Sequence, residues 1–396
     1  MQNKKPEILY LSFNQSFELL NCGLSIGFSI LDCNPVKTRF LHEFNFKITN
    51  VEIINQSNHV FIVGDNQNDS EQKKKFFLWD NYQLQKLFEV DHPDPIKKIK
   101  YLNKYFFVMT SKKAFLYSIE GAKLIKSVET IENKKGIISA ARKPDSIIFA
   151  IPGNSKGYVR VFNFSKESPF ETHFQAHNHE IESIELNYEG TLVATASSEG
   201  TLIRVFETSK GEQISQFRRG RKQSQIYCLA FSLDNKYLIS VSSSKTLHVF
   251  KLPTKEDKQK KGFSLKSFYD MNSERSFVSI KLDTSKYSIC AFDPKDQDII
   301  NIACINGIFT KFRIDFKEKT LKKITSINFL LDQKFEFNEK LFETKSKSKS
   351  KSISISISNS NSNSKSNSNS NSKSKSNSNS NSDAKYSDTD SDFDFI

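Results

Sequence analysis

The fold class predicted by this sequence of 396 residues is all-β: a seven-bladed β-propeller followed by a low-complexity tail. Three observations carry that expectation. Apolar or alternating runs of about four to eight residues follow one another closely, as in antiparallel hairpins. Groups of these runs recur every 40 to 46 residues or so, the size of a four-stranded propeller blade. No long segment shows the 3.6-residue period of an amphipathic helix.

Counting from the first run of each group, units start near residues 8, 50, 96, 136, 181, 226 and 287. The first five intervals are then about 42, 46, 40, 45 and 45 residues. The clearest unit extends from Ala176 to Gln216. It holds His177, a strand over 181–187, a turn at Glu189-Gly190, and strands over 192–197, 201–206 and 213–217. A β-sandwich array is the competing architecture, but it does not demand a fixed period. The sixth interval is longer, about 61 residues, because of an insertion at 253–275. A basic cluster there gives way to Phe263, Leu265, Phe268, Tyr269 and Met271. Insertions of this length in compact repeats are often functional, and basic residues beside apolar ones suit an anionic membrane surface. The alternative is a disordered loop or one folded on its own blade. The propeller is assigned to residues 6–343. Residues 344–396 form a Ser/Asn/Lys-rich tail that cannot bury enough apolar surface to offset ordering entropy and is expected to be disordered.

Net charge is +13, and the tail beyond Glu343 leaves the body with 50 basic against 40 acidic residues. Such an excess suits a polyanionic partner: nucleic acid, an anionic membrane or a phosphorylated ligand. The five cysteines are scattered without a CxxC pair, so neither a disulfide framework nor a zinc site is indicated. The N-terminus has no signal-peptide pattern, and no apolar run approaches 18 residues. A cytoplasmic protein with peripheral membrane contact is therefore expected. P-loop, dinucleotide-binding, HExxH and GxSxG patterns are missing, so no catalysis, cofactor or metal is expected. His177 and His179 precede a strand, where structural hydrogen bonding is the expected role.

The most informative tetrapeptide is Phe217-Arg218-Arg219-Gly220, between the fifth and sixth units. Successive side chains on an extended backbone point to opposite faces, so two adjacent arginines are suited to two pockets rather than one. Arginine presents a planar fork of donors that matches phosphate and stays charged at cellular pH. The following glycine allows the backbone to turn and approach a ligand. On one side lie Thr195, Ser197, Gly200, Thr201 and Arg204; on the other, Ser242, Thr246 and His248. Each arginine thus has hydroxyl donors nearby together with a second basic or imidazole group, the donor set of a phosphate site. The basic residues sit with Ser and Thr rather than with stacking aromatics, which argues against nucleic acid. A WD-repeat-like protein scaffold whose basic rim binds an acidic partner is the alternative.

The tetrapeptide, together with residues 194–206 before it and Thr246-Leu247-His248-Val249-Phe250 after it, resembles the PROPPIN family of seven-bladed, phosphoinositide-binding propellers. The resemblance extends more weakly to Leu11-Ser12-Phe13-Asn14-Gln15 and Leu78-Trp79-Asp80 and spans roughly residues 6–316. It implies two headgroup sites. Thr195, Ser197, Gly200, Thr201, Arg204 and Arg218 would form the first; Arg219, Gly220, Ser242, Thr246 and His248 would form the second. The implied ligands are phosphatidylinositol 3-phosphate and phosphatidylinositol 3,5-bisphosphate. The insertion corresponds to a membrane-inserting loop of the sixth blade. The implied role is that of an adaptor in autophagosome formation on autophagic precursor, endosomal or vacuolar membranes, with a lipid-transfer or conjugation protein as partner. Two departures stand out: Arg221-Lys222-Gln223-Ser224-Gln225 is more basic than in many members, and Ser16 replaces an acidic residue in a region used for partner binding.

Overall fold

Consecutive strands pair into four-stranded antiparallel sheets, seven in all, in a computed structural model that describes residues 6–66, 69–165, 168–253 and 273–330 and the backbone of 354–356. Blade 1 is β1 (Ile8–Phe13), β2 (Leu19–Leu24), β3 (Gly27–Cys33) and β4 (Val36–Glu43). Blade 2 is β5 (Lys47–Ile53), β6 (His59–Asp65), β7 (Lys75–Asp80) and β8 (Gln85–Asp91). Blade 3 contains β9 (Lys98–Leu102), β10 (Tyr105–Met109), β11 (Lys113–Ser118) and β12 (Leu124–Glu129). Blade 4 contains β13 (Ser139–Ala140), β14 (Ile148–Pro152), β15 (Tyr158–Asn163) and β16 (Phe170–Gln175). Blade 5 is β17 (Ile181–Leu186), β18 (Leu192–Ser197), β19 (Leu202–Glu207) and β20 (Gln213–Arg218). Blade 6 is β21 (Ile226–Phe231), β22 (Tyr237–Ser242) and β23 (Thr246–Lys251), completed after a short β24 (Glu274–Arg275) by β25 (Val278–Lys281). Blade 7 is β26 (Ser288–Phe292), β27 (Ile299–Cys304), β28 (Ile308–Asp315) and β29 (Thr320–Asn328). Every unit begins within three residues of its expected start. The small displacements arise where polar residues open a strand, as at Lys47 in β5, or where the inner strand is only two residues long, as in β13.

Alternation along the strands supplies the packing between blades. Ala194, Ala196, Ile203, Val205 and Phe217 of blade 5 meet Ile226, Leu229, Phe231, Leu238 and Phe250 of blade 6. The opposite face of blade 5 carries Ile181, Ile184 and Val193 onto Ala150, Val159 and Val161 of blade 4. The ring closes by the same means. Blade 1 is made wholly from the first strands and blade 7 from consecutive late ones, so no strand is shared across the junction. Instead Ile289, Ala291, Ala303 and Phe309 pack on Ile8, Leu11, Leu20 and Cys22.

The turn between the first two strands of a blade recurs with the same device. Asn14 Oδ1 accepts from Leu19 N at 2.9 Å, Asn187 Oδ1 from Leu192 N at 2.9 Å, and Ser232 Oγ from Tyr237 N at 2.9 Å. Short polar side chains here replace backbone partners that the turn leaves open. The inner strands surround a central channel of about 550 Å³ lined by Tyr10, Lys98, Lys100, Glu185, Tyr227 and Tyr287, among others. Its charges are partly self-neutralised, with Lys100 Nζ 2.8 Å from Glu52 Oε1.

Two elements add to the regular plan. β24 pairs in parallel with β20, so the segment that leaves blade 6 after β23 returns along the outer edge of blade 5. Ser354–Ser356 (β30), in the part of the chain assigned to the tail, lies parallel to β8 of blade 2.

Phe217 anchors the end of β20: it is fully buried, and its ring stacks on Phe250 with centroids 4.9 Å apart. Truncation of such a side chain removes its transfer energy and leaves a cavity. Phe217→Ala is expected to lower stability by about 3–5 kcal/mol in chemical denaturation. A loss below about 1 kcal/mol would mean that blades 5 and 6 do not depend on this contact.

Candidate functional site

The edge shared by blades 5 and 6 collects the residues that the sequence singled out. Its geometry starts from β20. Phe217 points into the interface with blade 6 and is paired with Ile203 across the strands. Arg218, the next residue, therefore lies on the other face, the one turned toward blade 4. There the strands place Thr195 opposite Arg204, Arg204 opposite Gln216, and Leu202 opposite Arg218. Arg219 follows the strand and turns back toward blade 6.

The contacts show this division. Arg218 is exposed and donates from Nε to Ser273 Oγ at 2.8 Å. Arg219 is 8% exposed. It donates from Nε to the Gly200 carbonyl at 2.7 Å, from Nη1 to Ser244 Oγ at 3.0 Å, and from Nη2 to the Lys222 carbonyl. Among the described residues both arginines have only neutral oxygens as partners. A guanidinium removed from water and held only by neutral acceptors keeps an uncompensated charge, which favours an anion close by. Burial also lowers the pKa of Arg219 from its ordinary value.

The residues grouped with Arg218 are unequally available. Thr195 is fully buried and its hydroxyl is used inside the blade, 3.0 Å from His177 Nε2 and 3.4 Å from the Arg204 carbonyl that it donates to. Ser197 is buried as well, whereas Thr201 and Arg204 are half-buried. Arg204 donates to Gln216 Oε1 at 2.7 Å and to the Ala176 carbonyl at 2.6 Å. Gly200 sits in the left-handed region at φ 58°, where an added Cβ would lie 1.7 Å from the Ser224 carbonyl oxygen. That turn aims its carbonyl at Arg219, so Gly200 contacts the arginine of the second group rather than Arg218. The backbone couples the groups again through Arg219 N, which donates to the Thr201 carbonyl at 2.9 Å.

Around Arg219 the hydroxyls form a connected set. Ser242 Oγ is 2.8 Å from Ser244 Oγ and 3.3 Å from Thr246 Oγ1, and Ser244 Oγ is 2.9 Å from Thr246 Oγ1. Thr246 Oγ1 in turn lies 3.0 Å from His248 Nε2. Hydroxyls reorient freely, so such a set can present donors to an anion without backbone movement. Gly220 has open space around its Cβ position. Ser244, which bonds the guanidinium directly, was not selected from the sequence. Its place in a run of three serines gives no sign of which one faces Arg219. Ser273 was also missed, since a residue 55 positions from Arg218 carries no local signal. The apolar residues of the insertion, Phe263, Leu265, Phe268, Tyr269 and Met271, lie outside the described residues.

His248 is neutral in this setting. Burial, reinforced by the nearby Arg219 charge, lowers its pKa from 6.5 to about 4. His177 is lowered to about 3 by burial and the Arg204 charge. The bond from His177 to Thr195 gives this histidine the structural role expected from its position before a strand.

Fold and site together define a class: a seven-bladed propeller with a basic, hydroxyl-rich outer edge between two neighbouring blades. The PROPPIN family model matches residues 8–284, and the chain belongs to that family of non-enzymatic propellers. Autophagy-related protein 18e of Arabidopsis thaliana is 28% identical over 322 residues, covering 78% of this chain and 84% of that protein. SVP1-like protein 2 of Schizosaccharomyces pombe is 29% identical over 244 residues, or 61% of this chain and 67% of the relative. In fold the chain is similar to Kluyveromyces lactis Hsv2 with its complete loop 6CD, with a TM-score of 0.69, 22% identity, and coverage of 82% and 99% of the two chains. A complex of KlAtg21 with the coiled coil of AgAtg16 matches with a TM-score of 0.69 and 23% identity over the same shares. Among the described residues no helix is long and apolar enough to cross a membrane.

The histidines give a pH dependence of definite sign. The folded values for His248 and His177 lie below the unfolded value of 6.5, so the unfolded chain takes up protons first on acidification. Their contribution to stability is complete above pH 6.5 and is lost as the pH falls toward about 4 for His248 and about 3 for His177. The melting temperature of the wild type should therefore drop across that window, and His248→Gln should make the drop shallower. A mutant profile parallel to that of the wild type would mean that His248 is not held neutral.

Proposed function

We propose that the chain is a non-enzymatic phosphoinositide effector that reads 3-phosphorylated inositol lipids through two sites flanking Arg218-Arg219. Phosphatidylinositol 3-phosphate and phosphatidylinositol 3,5-bisphosphate are the ligands. One observation carries this reading. Two arginines adjacent in sequence address opposite faces of blade 5, and neither meets a carboxylate among the described residues. Guanidinium forks backed by hydroxyl groups suit a phosphate monoester better than an apolar or cationic ligand.

Two sites on one rigid edge bind the same bilayer together, so their combined avidity exceeds either affinity by orders of magnitude. The apolar residues of the insertion, Phe263 to Met271, would add burial worth about 25 cal/mol for each Å² placed in the membrane. The basic excess of the body assists approach to an anionic surface and weakens with salt. Together these make the protein a peripheral adaptor on autophagic precursor, endosomal or vacuolar membranes. Membership in a family whose relatives are named autophagy-related supports a role in autophagosome formation. The similarly folded KlAtg21 is complexed with a coiled coil, which supports recruitment of a protein partner from the lipid-transfer or conjugation machinery.

Vesicle flotation provides the test. Arg218→Thr or Arg219→Thr alone should weaken binding to vesicles containing phosphatidylinositol 3-phosphate by roughly a hundredfold through loss of avidity, and the double change should abolish it. Undiminished flotation of a folded double variant would favour a protein scaffold whose basic rim takes an acidic partner.

A further inference from the structure

The return of the chain after the blade-6 insertion brings a further arginine to the edge of blade 5. β24 adds to β20 in parallel, with Phe217 opposite Glu274 and Arg218 opposite Arg275. Residues in register on parallel strands project to the same side, so Arg275 shares the face of Arg218. Ser273, two residues earlier, occupies that face too and accepts the Arg218 Nε–H at 2.8 Å. Glu274 alternates to the opposite side with Phe217 and forms no ion pair with either arginine among the described residues. Both arginines are exposed.

Like charges directly opposite on neighbouring strands destabilise a sheet. The pair Arg218/Arg275 is such an arrangement, at the end of a strand only two residues long that has little pairing energy of its own. An anion held between the guanidinium groups would reverse the sign of this interaction, and Ser273 would supply a hydroxyl beside it. We propose that Arg275 and Ser273 complete, with Arg218, the binding site for a phosphate monoester on the blade-4 side of β20. This extends the two-site reading above and rests on it. It assigns to the first site two residues that come from the far side of the blade-6 insertion, and it makes that site a joint product of blade 5 and the strand that returns to it. The second site, around Arg219, receives no such addition.

The test uses the full chain carrying Arg219→Ala, so that the first site is read alone. The probes are inositol 1,3-bisphosphate, inorganic phosphate, and vesicles containing phosphatidylinositol 3-phosphate. Arg275→Gln should weaken inositol 1,3-bisphosphate binding about five- to tenfold, the scale of one charge-assisted contact. Ser273→Ala should weaken it about two- to threefold. With Arg218→Ala also present, binding should already be abolished, so Arg275→Gln should then have no further effect, because the two arginines act on one anion. Melting temperatures no lower than that of the parent chain confirm that the variants fold, since Arg275 is exposed and its change relieves a like-charge contact. Inorganic phosphate that binds as tightly as the inositol phosphate, with the same dependence on Arg275, would assign the site to free phosphate; weaker phosphate binding together with vesicle binding assigns it to a lipid headgroup. No loss with Arg275→Gln overturns the proposal while leaving the two-site reading intact. Failure of the unsubstituted chain to bind any phosphorylated inositol overturns both.

Discussion

The burial of Phe217 is the constraint on which the candidate site depends. Its ring is enclosed between blades 5 and 6 and stacks on Phe250, so the register and facing of β20 are fixed at that residue. Once Phe217 points toward blade 6, Arg218 has to face blade 4, and Arg219, just past the strand, is free to return toward blade 6. A shift of one residue would exchange the arginines and bring a charge into the apolar interface. The apolar contact thus decides which polar group goes where.

The two arginines occupy different electrostatic surroundings. Arg219 is nearly enclosed, bound to two carbonyls and a serine, and neighbours a histidine kept neutral by burial. Arg218 is exposed, bound to one serine hydroxyl, and accompanied by Arg275. Desolvation strengthens electrostatic interaction with an anion, so the enclosed arginine would offer a stronger field and the open one easier access. His248 fits the same picture. A phosphate bound at the proposed second site would oppose the depression of its pKa, so anion binding there would be thermodynamically linked to proton uptake.

Much of the fold could be read from the sequence because blades are local objects. Strand alternation and polar turns repeat within each unit, and β17 through β20 were recognisable almost to the residue. The split of Arg218 and Arg219 was legible for a similar reason, since alternation turns Arg218 away from Phe217 and the glycine after Arg219 lets the chain turn at the strand end. Contacts made at long range were not legible. β24 is a two-residue parallel strand far along the chain from β20, with no periodicity to announce it. Closure between Ile8 and Ile289 depends on packing rather than on a shared strand, so no sequence signature marks it. The state of Thr195 was hidden as well: its hydroxyl belongs to a hydrogen bond with His177, and only three-dimensional burial shows this. Gly200 was grouped with Arg218 through the family resemblance, yet its left-handed backbone presents its carbonyl to Arg219.

The central claim is that a single dipeptide serves two separate anion sites. Calorimetric titration of the full chain with soluble inositol 1,3-bisphosphate tests it most directly, because the stoichiometry counts sites without the avidity of a membrane. Two equivalents bound per chain, falling to one with either Arg218→Ala or Arg219→Ala and to none with both, is the expected result. One equivalent in the wild type, abolished by either single change, would contradict it and place both arginines in one pocket.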